Sequence, residues 1–93
     1  MIIGTCSLKL MIYESNSLKD KRRVLKSIIE RIKSRFNVSI AEVDLNEKWQ
    51  LGAIGIACVT NDSKYAQQII SNVINFIEND DRVEILEENI EIL

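Results

Sequence analysis

The run Trp49–Thr60, WQLGAIGIACVT, constrains the fold more than any other part of the chain. It is apolar on both parities, with Ile54, Ile56 and Cys58 on one and Leu51, Ala53, Ala57 and Val59 on the other. That pattern reads as a strand without helical spacing. A strand apolar on both faces is ordinarily central and covered on each side. Gly52 and Gly55 fall inside it, where glycine marks a bulge or close packing and not a phosphate-cradling loop.

The neighbouring segments supply the rest of a sheet. Residues 2–13 alternate, with Ile2, Gly4, Cys6, Leu8, Leu10 and Ile12 on one face and Thr5, Ser7 and Lys9 on the other. This is a half-buried strand. Ser17–Asn37 reads as a helix opened by a capping box, the Ser17 hydroxyl taking an orphan N–H and the Asp20 carboxylate reaching back. Leu18, Val24, Leu25, Ile28, Ile29, Ile32 and Phe36 form its apolar arc, and Asn37 is its stop. Val38–Asn46 predicts a second strand whose apolar parity switches, which a bulge near Ala41–Glu42 would explain. Glu47-Lys48 is the expected hairpin tip. A second helix starts at Asn61-Asp62-Ser63 with Asp62 as cap. Its expected buried face is Tyr65, Ala66, Ile69, Ile70, Val73, Phe76 and Ile77. After the turn Asn79–Asp81, Arg82–Leu93 reads as a last strand with a break at Leu86–Asn89.

The order β-α-β-β-α-β predicts an α+β, ferredoxin-like sandwich. Right-handed crossovers then give a four-stranded antiparallel sheet of order 4-1-3-2 with both helices on one face. The 93 residues make one domain, 1–93, and the absence of proline leaves no obvious linker. With helices on one side only, Leu51, Ala53, Ala57 and Val59 would form an apolar patch on the other. Such patches mark interfaces, so a homodimer through this face or through an edge strand is expected. The alternative is that Lys9 and neighbouring side chains cover the face.

Charge is distributed very unevenly. The first helix holds eight cations (Lys19, Lys21, Arg22, Arg23, Lys26, Arg31, Lys33 and Arg35) against Asp20 and Glu30, a local +6 in a chain of net charge −2. Lys19, Arg22, Lys26 and Lys33 share one flank, with Arg23 just beyond, and only Glu30 lies near them for pairing along the helix. Such a stripe can neutralise successive phosphates, giving affinity and orientation with little sequence reading. The plain alternative is a surface helix solvated by Lys and Arg. Glu78, Asp80, Asp81, Glu84, Glu87, Glu88 and Glu91 make the C-terminal end acidic, so that end should face away from a polyanion.

Several chemistries lose ground on composition. There is no histidine, which removes the commonest general base and metal ligand. Cys6 and Cys58 sit in apolar runs, where a free cysteine packs as a small hydrophobe, and neither zinc spacing nor Cys-X-X-Cys is present. Glu42 and Asp44 alternate with Asn46 and could hold a hard cation, although the solvent side of an edge strand is the simpler reading. Stacking of bases across the sheet, as in RNA-recognition motifs, would need aromatics on the central strands. Only Tyr13 and Trp49 come near, both at strand ends, and Trp49 reads as a hairpin anchor. No catalytic residue, metal site or cofactor is expected. The N-terminal run lacks a basic leader and is too short to span a bilayer, which points to the cytoplasm.

Leu18-Lys-Asp-Lys-Arg-Arg23, Arg35-Phe-Asn-Val-Ser-Ile-Ala-Glu-Val43, Trp49-Gln50 and the apolar run to Thr60-Asn61-Asp62 resemble the YlxP-like family. The resemblance covers nearly the whole chain. It departs at Leu51-Gly52, where the family tends to carry Arg-Ala. It implies a small bacterial protein of ferredoxin-like fold, often encoded beside genes for translation initiation and ribosome maturation. The joint expectation is a non-enzymatic protein that binds RNA or the ribosome through Lys19, Arg22, Arg23, Lys26 and Lys33. The rival reading is a homodimeric module whose basic helix meets an acidic protein.

Overall fold

A computed structural model describes residues 1–45 and 48–93. The elements run β1 (Ile2–Ile12), α1 (Leu18–Arg35), β2 (Ser39–Asp44), β3 (Leu51–Thr60), α2 (Ser63–Glu78) and β4 (Val83–Ile92). They form one four-stranded sheet of order β2-β3-β1-β4, with every neighbouring pair antiparallel. This is the expected α+β, ferredoxin-like βαββαβ arrangement. The positions Asn46 and Glu47, assigned to a strand end and a hairpin tip from sequence, lie outside the described residues.

The period-two reading of β1 holds residue by residue. Gly4, Cys6, Leu8, Leu10 and Ile12 are buried, and Ser7 is exposed. Their face meets the inner face of β3, in the pairs Cys6–Ile56, Leu8–Ile54 and Leu10–Gly52. α1 packs over β2 and β3, and α2 over β1, β3 and β4. The core between sheet and helices is built from Leu8, Leu10, Ile12, Ile54, Leu25, Ile28, Ile32, Ile70, Val73 and Ile77, all nearly inaccessible. Phe36 closes one end, meeting Phe76 edge-on at a centroid distance of 6.0 Å, a geometry aromatic quadrupoles favour.

Both irregularities anticipated in the strands are present, one of them displaced. The β2–β3 register shifts between Glu42 and Asp44, later than the expected Ala41–Glu42. In β4, Leu10 faces Ile85 while Lys9 faces Glu87, so Leu86 is the extra residue and the strand continues without splitting. A bulge of this kind lets one strand change which parity it buries.

The helices differ from expectation at particular positions. α1 ends at Arg35 and is capped by Phe36, whose N–H bonds to Ile32 O, one residue before the anticipated stop at Asn37. In α2, Tyr65 is exposed and Ile74 is buried in its place. Tyr65 lies about 100° around the helix from Ala66, beyond the arc that reaches the sheet. Asp62 caps α2 as expected, its side chain accepting from the Lys64 N–H at 3.0 Å. Among the described residues no helix is long and apolar enough to cross a membrane.

Candidate nucleic-acid interface

The start of α1 is held by short polar side chains. Ser17 Oγ accepts from the Asp20 N–H at 3.1 Å. Asp20 reaches back in turn, but to the Asn16 N–H (3.2 Å) and not to that of the cap itself. Its other oxygen accepts from Arg23 Nη2 at 3.3 Å. The box therefore forms one residue wider than the sequence implied, and it takes up Arg23 in an exposed pair.

Lys21 corrects the charge reading of the helix. It belongs among the eight cations by sequence, yet it is completely buried. Its ammonium donates to Leu45 O at 2.8 Å and Leu51 O at 3.2 Å, and lies 3.3 Å from Glu42 Oε2. The position explains this: Lys21 precedes Leu25, Ile28 and Ile32 by four, seven and eleven residues, the centre of the apolar arc. A buried ammonium is tolerated only when paired and hydrogen-bonded. Here the hairpin between β2 and β3 provides that, with Leu45 held at a positive φ of 61°.

Glu42 is corrected with it. The carboxylates of Glu42 and Asp44 do not share a face. Glu42 pairs with inward Ile54, whereas Asp44 pairs with outward Ala53, because the bulge lies between them. Glu42 turns toward Lys21, and Asp44 is exposed and accepts from the Leu45 N–H at 2.8 Å. They do not converge as a ligand pair.

The remaining cations of α1 divide by flank. On the side toward α2 they have company. Arg35 lies 5.0 Å over the Phe76 ring, a cation–π distance. Arg82, from the turn before β4, forks onto Asp80 at 2.7 Å and reaches Ser27 Oγ at 3.3 Å. Hydrogen bonding to Arg82 holds the Asp80 carboxyl below the usual carboxylate range.

The opposite flank is open. Lys19, Arg22, Lys26 and Lys33 are all exposed, and they fall within about 60° of helical arc. No carboxylate among the described residues pairs with any of the four. Arg23 is exposed beside them. This flank lies on the β2 side of the molecule. The exposed Glu84, Glu87, Glu88 and Glu91 belong to β4, the far edge of the sheet. Positive and negative ends are thus separated across the width of the sheet.

The outer sheet face is uncovered by any described element. Leu51, Ala53 and Ala57 are half-buried there and Val59 is 66% exposed. Val43 joins them, 58% exposed and packed over Gly55. Among the described residues of the chain, cover for β3 comes from the helices on the inner face alone. Cys6 and Cys58 are free and buried on the inner face. Burial, with the charge of Glu88, pushes the Cys6 thiol up to about 11, which leaves it protonated and unreactive near neutrality.

Comparison with known proteins bears on kinship. Residues 3–90 match the family described as "Protein of unknown function (DUF503)". The chain is also 36% identical over 83 residues to the "Uncharacterized protein YlxP" of Bacillus subtilis (strain 168), covering 89% of this chain and 90% of that one. The chain belongs to the DUF503 family. The YlxP-like resemblance of its sequence blocks is thereby borne out. Two solved structures share the DUF503 chain's architecture at 14% identity, and both are de novo designs. One has a ferredoxin fold, LFR1 1, with a TM-score of 0.62 over 98% of this chain and 86% of the design. The other is Foldit4, with 0.56 over 100% and 97%. Likeness at this identity speaks for the fold alone.

Proposed function

We propose that this DUF503 protein is a non-enzymatic binder of structured RNA, acting on the ribosome or during its maturation in the cytoplasm, and that α1 is its docking element. The observation that carries the reading is the exposed quartet Lys19, Arg22, Lys26 and Lys33, aligned on one flank and unpaired with any described carboxylate. Arg23 extends the same surface. Aligned, unneutralised cations meet successive phosphates without needing base contacts. The acidic β4 edge repels the wrong orientation. The ribosomal setting rests on the YlxP-like resemblance.

The experiment is co-sedimentation of the protein with ribosomal subunits in lysate, at low and high salt. Wild type should migrate with a subunit and leave it as salt rises, and an Arg22→Glu/Lys26→Glu variant should stay at the top of the gradient. Equal migration of the two proteins would overturn the reading. Salt-sensitive capture by an acidic protein, with no RNA present, would instead favour the rival module.

A second reading concerns assembly. Val43 and Val59 stand exposed beside Leu51, Ala53 and Ala57 on a face that no described element covers. Apolar surface of this sort favours a like surface, and a homodimer through this face is our proposal for it. Sedimentation equilibrium tests it: a monomer at all concentrations would exclude the dimer.

A further inference from the structure

Trp49 is the chain's one tryptophan. It stands just before β3 and is 57% exposed. A hairpin anchor would have its ring inside the fold, so that role does not describe it. An indole left in solvent keeps a π-face open to a ligand.

The backbone that carries the ring is fixed from within. Ser15, only 2% exposed, donates its hydroxyl to Trp49 O at 2.6 Å. The buried Lys21 ammonium holds Leu51 O on one side and Leu45 O on the other. One anchor, Ser15, lies in the turn just before α1 and the other, Lys21, in its first turn, and α1 is the element whose exposed face carries Lys19 and Arg22. Exposed Lys48 adjoins the ring, and Lys48, Trp49, Gln50 and Leu51 line one shallow depression. The backbone that bears the exposed indole is therefore tied to the chain entering α1, where the cationic flank begins.

We infer that Trp49 is a stacking platform for an unpaired base, and that the RNA recognised by this protein presents a single-stranded loop or bulge next to the phosphates that α1 neutralises. The inference rests on the RNA-binding reading above and adds the form of the ligand. Every base offers a π-face, so stacking on an aromatic tolerates sequence but requires the base to be free of a continuous duplex. Lys48, beside the ring, and the exposed cations of α1 would hold the flanking phosphates. This is not recognition across the central strands, where the described outward residues Thr5, Ser7 and Ala57 offer no ring and Tyr13 stands just past the end of β1 with its hydroxyl bonded to Glu84. The platform lies at the loop instead.

The lone tryptophan makes the test direct. The full chain is titrated with an unstructured RNA of about twelve nucleotides, within the span such sites cover, and with a duplex of matched length. Binding is followed by filter retention and by tryptophan emission. The single strand should quench emission in step with retention. Trp49→Ala should weaken single-strand binding about tenfold, with Trp49→Phe close to wild type. The salt dependence should be unchanged in both variants, whose folding is checked by circular dichroism. Salt-sensitive binding without quenching, and with Trp49→Ala equal to wild type, would refute the platform and leave helix docking intact. Failure to retain either RNA would overturn docking itself, and the platform with it.

Discussion

Replacing Lys21 by methionine tests whether one buried cation organises the hairpin. Methionine keeps most of the apolar stem, so packing along the chain from Cα changes little. What is lost is the ammonium, which among the described residues donates to Leu45 O and Leu51 O and pairs with Glu42 at 3.3 Å. Hydrogen bonds to a charged group contribute about 1.5–3 kcal/mol each, and removing one member of a buried pair costs about 3–5 kcal/mol. The Glu42 side chain is 23% exposed and can recover some hydration, which argues for the lower end, about 3 kcal/mol. A domain of this size has about 5–10 kcal/mol in total, so the variant should still fold. With an m-value of about 1.5 kcal/mol/M, its urea midpoint by circular dichroism should fall by about 2 M. Lys21→Met/Glu42→Leu, which removes both charges, should recover part of that loss. A Lys21→Met midpoint equal to wild type would show that the buried ammonium does not hold the loop.

The remaining predictions use the same reasoning elsewhere. An alanine Cβ at Gly4 would stand 3.2 Å from Ala66 Cβ and 3.0 Å from Ile70 Cδ1. Ala66 has no rotamer to yield, so Gly4→Ala should lower stability by about 1–3 kcal/mol. At Gly55 the obstacle is Val43 Cγ1 at 2.9 Å, but Val43 lies on the open face and can turn aside. Gly55→Ala should therefore cost less in the same urea titration, and equal losses would contradict this account of the two faces. Asp80 has its carboxyl lowered by Arg82, so its contribution is present above the ordinary carboxylate pKa and fades as pH falls through the depressed folded value. Asp80→Asn should be less stable than wild type at neutral pH, with the gap closing below about pH 4. A gap that stays constant with pH would refute the linkage.

Much of this architecture could be read before any coordinates, because its signals are local. The alternation in β1, the Ser17 and Asp62 caps and the apolar arcs of both helices each specify their own element, and the order of elements leaves few topologies. The details that escaped depend on tertiary partners. Lys21 carries the spacing of a core residue, but a lysine by itself reads as solvent-facing; tertiary partners, among them the carbonyls of Leu45 and Leu51 and the Glu42 carboxylate, make its burial tolerable. Glu42 looked like an outward carboxylate because the parity switch was placed too early, and a bulge one residue later reverses the side chain. Trp49 read as an anchor because tryptophan is usually buried, and nothing local shows that its ring is left outside. The cationic flank was legible from helical spacing, since exposure on a helix follows from angle alone. That its members lack carboxylate partners among the described residues needed the positions of β4 and Asp80.

The central claim is that the open flank of α1 meets phosphates. It is tested most directly by the salt dependence of RNA retention for wild type and for Arg22→Glu/Lys26→Glu/Lys33→Glu. With four or so phosphates neutralised, log K against log salt should fall with a slope of about −3 for wild type, and the variant should retain no measurable affinity while keeping its fold. A wild-type slope near zero, or a folded variant that binds as tightly as wild type, would contradict it.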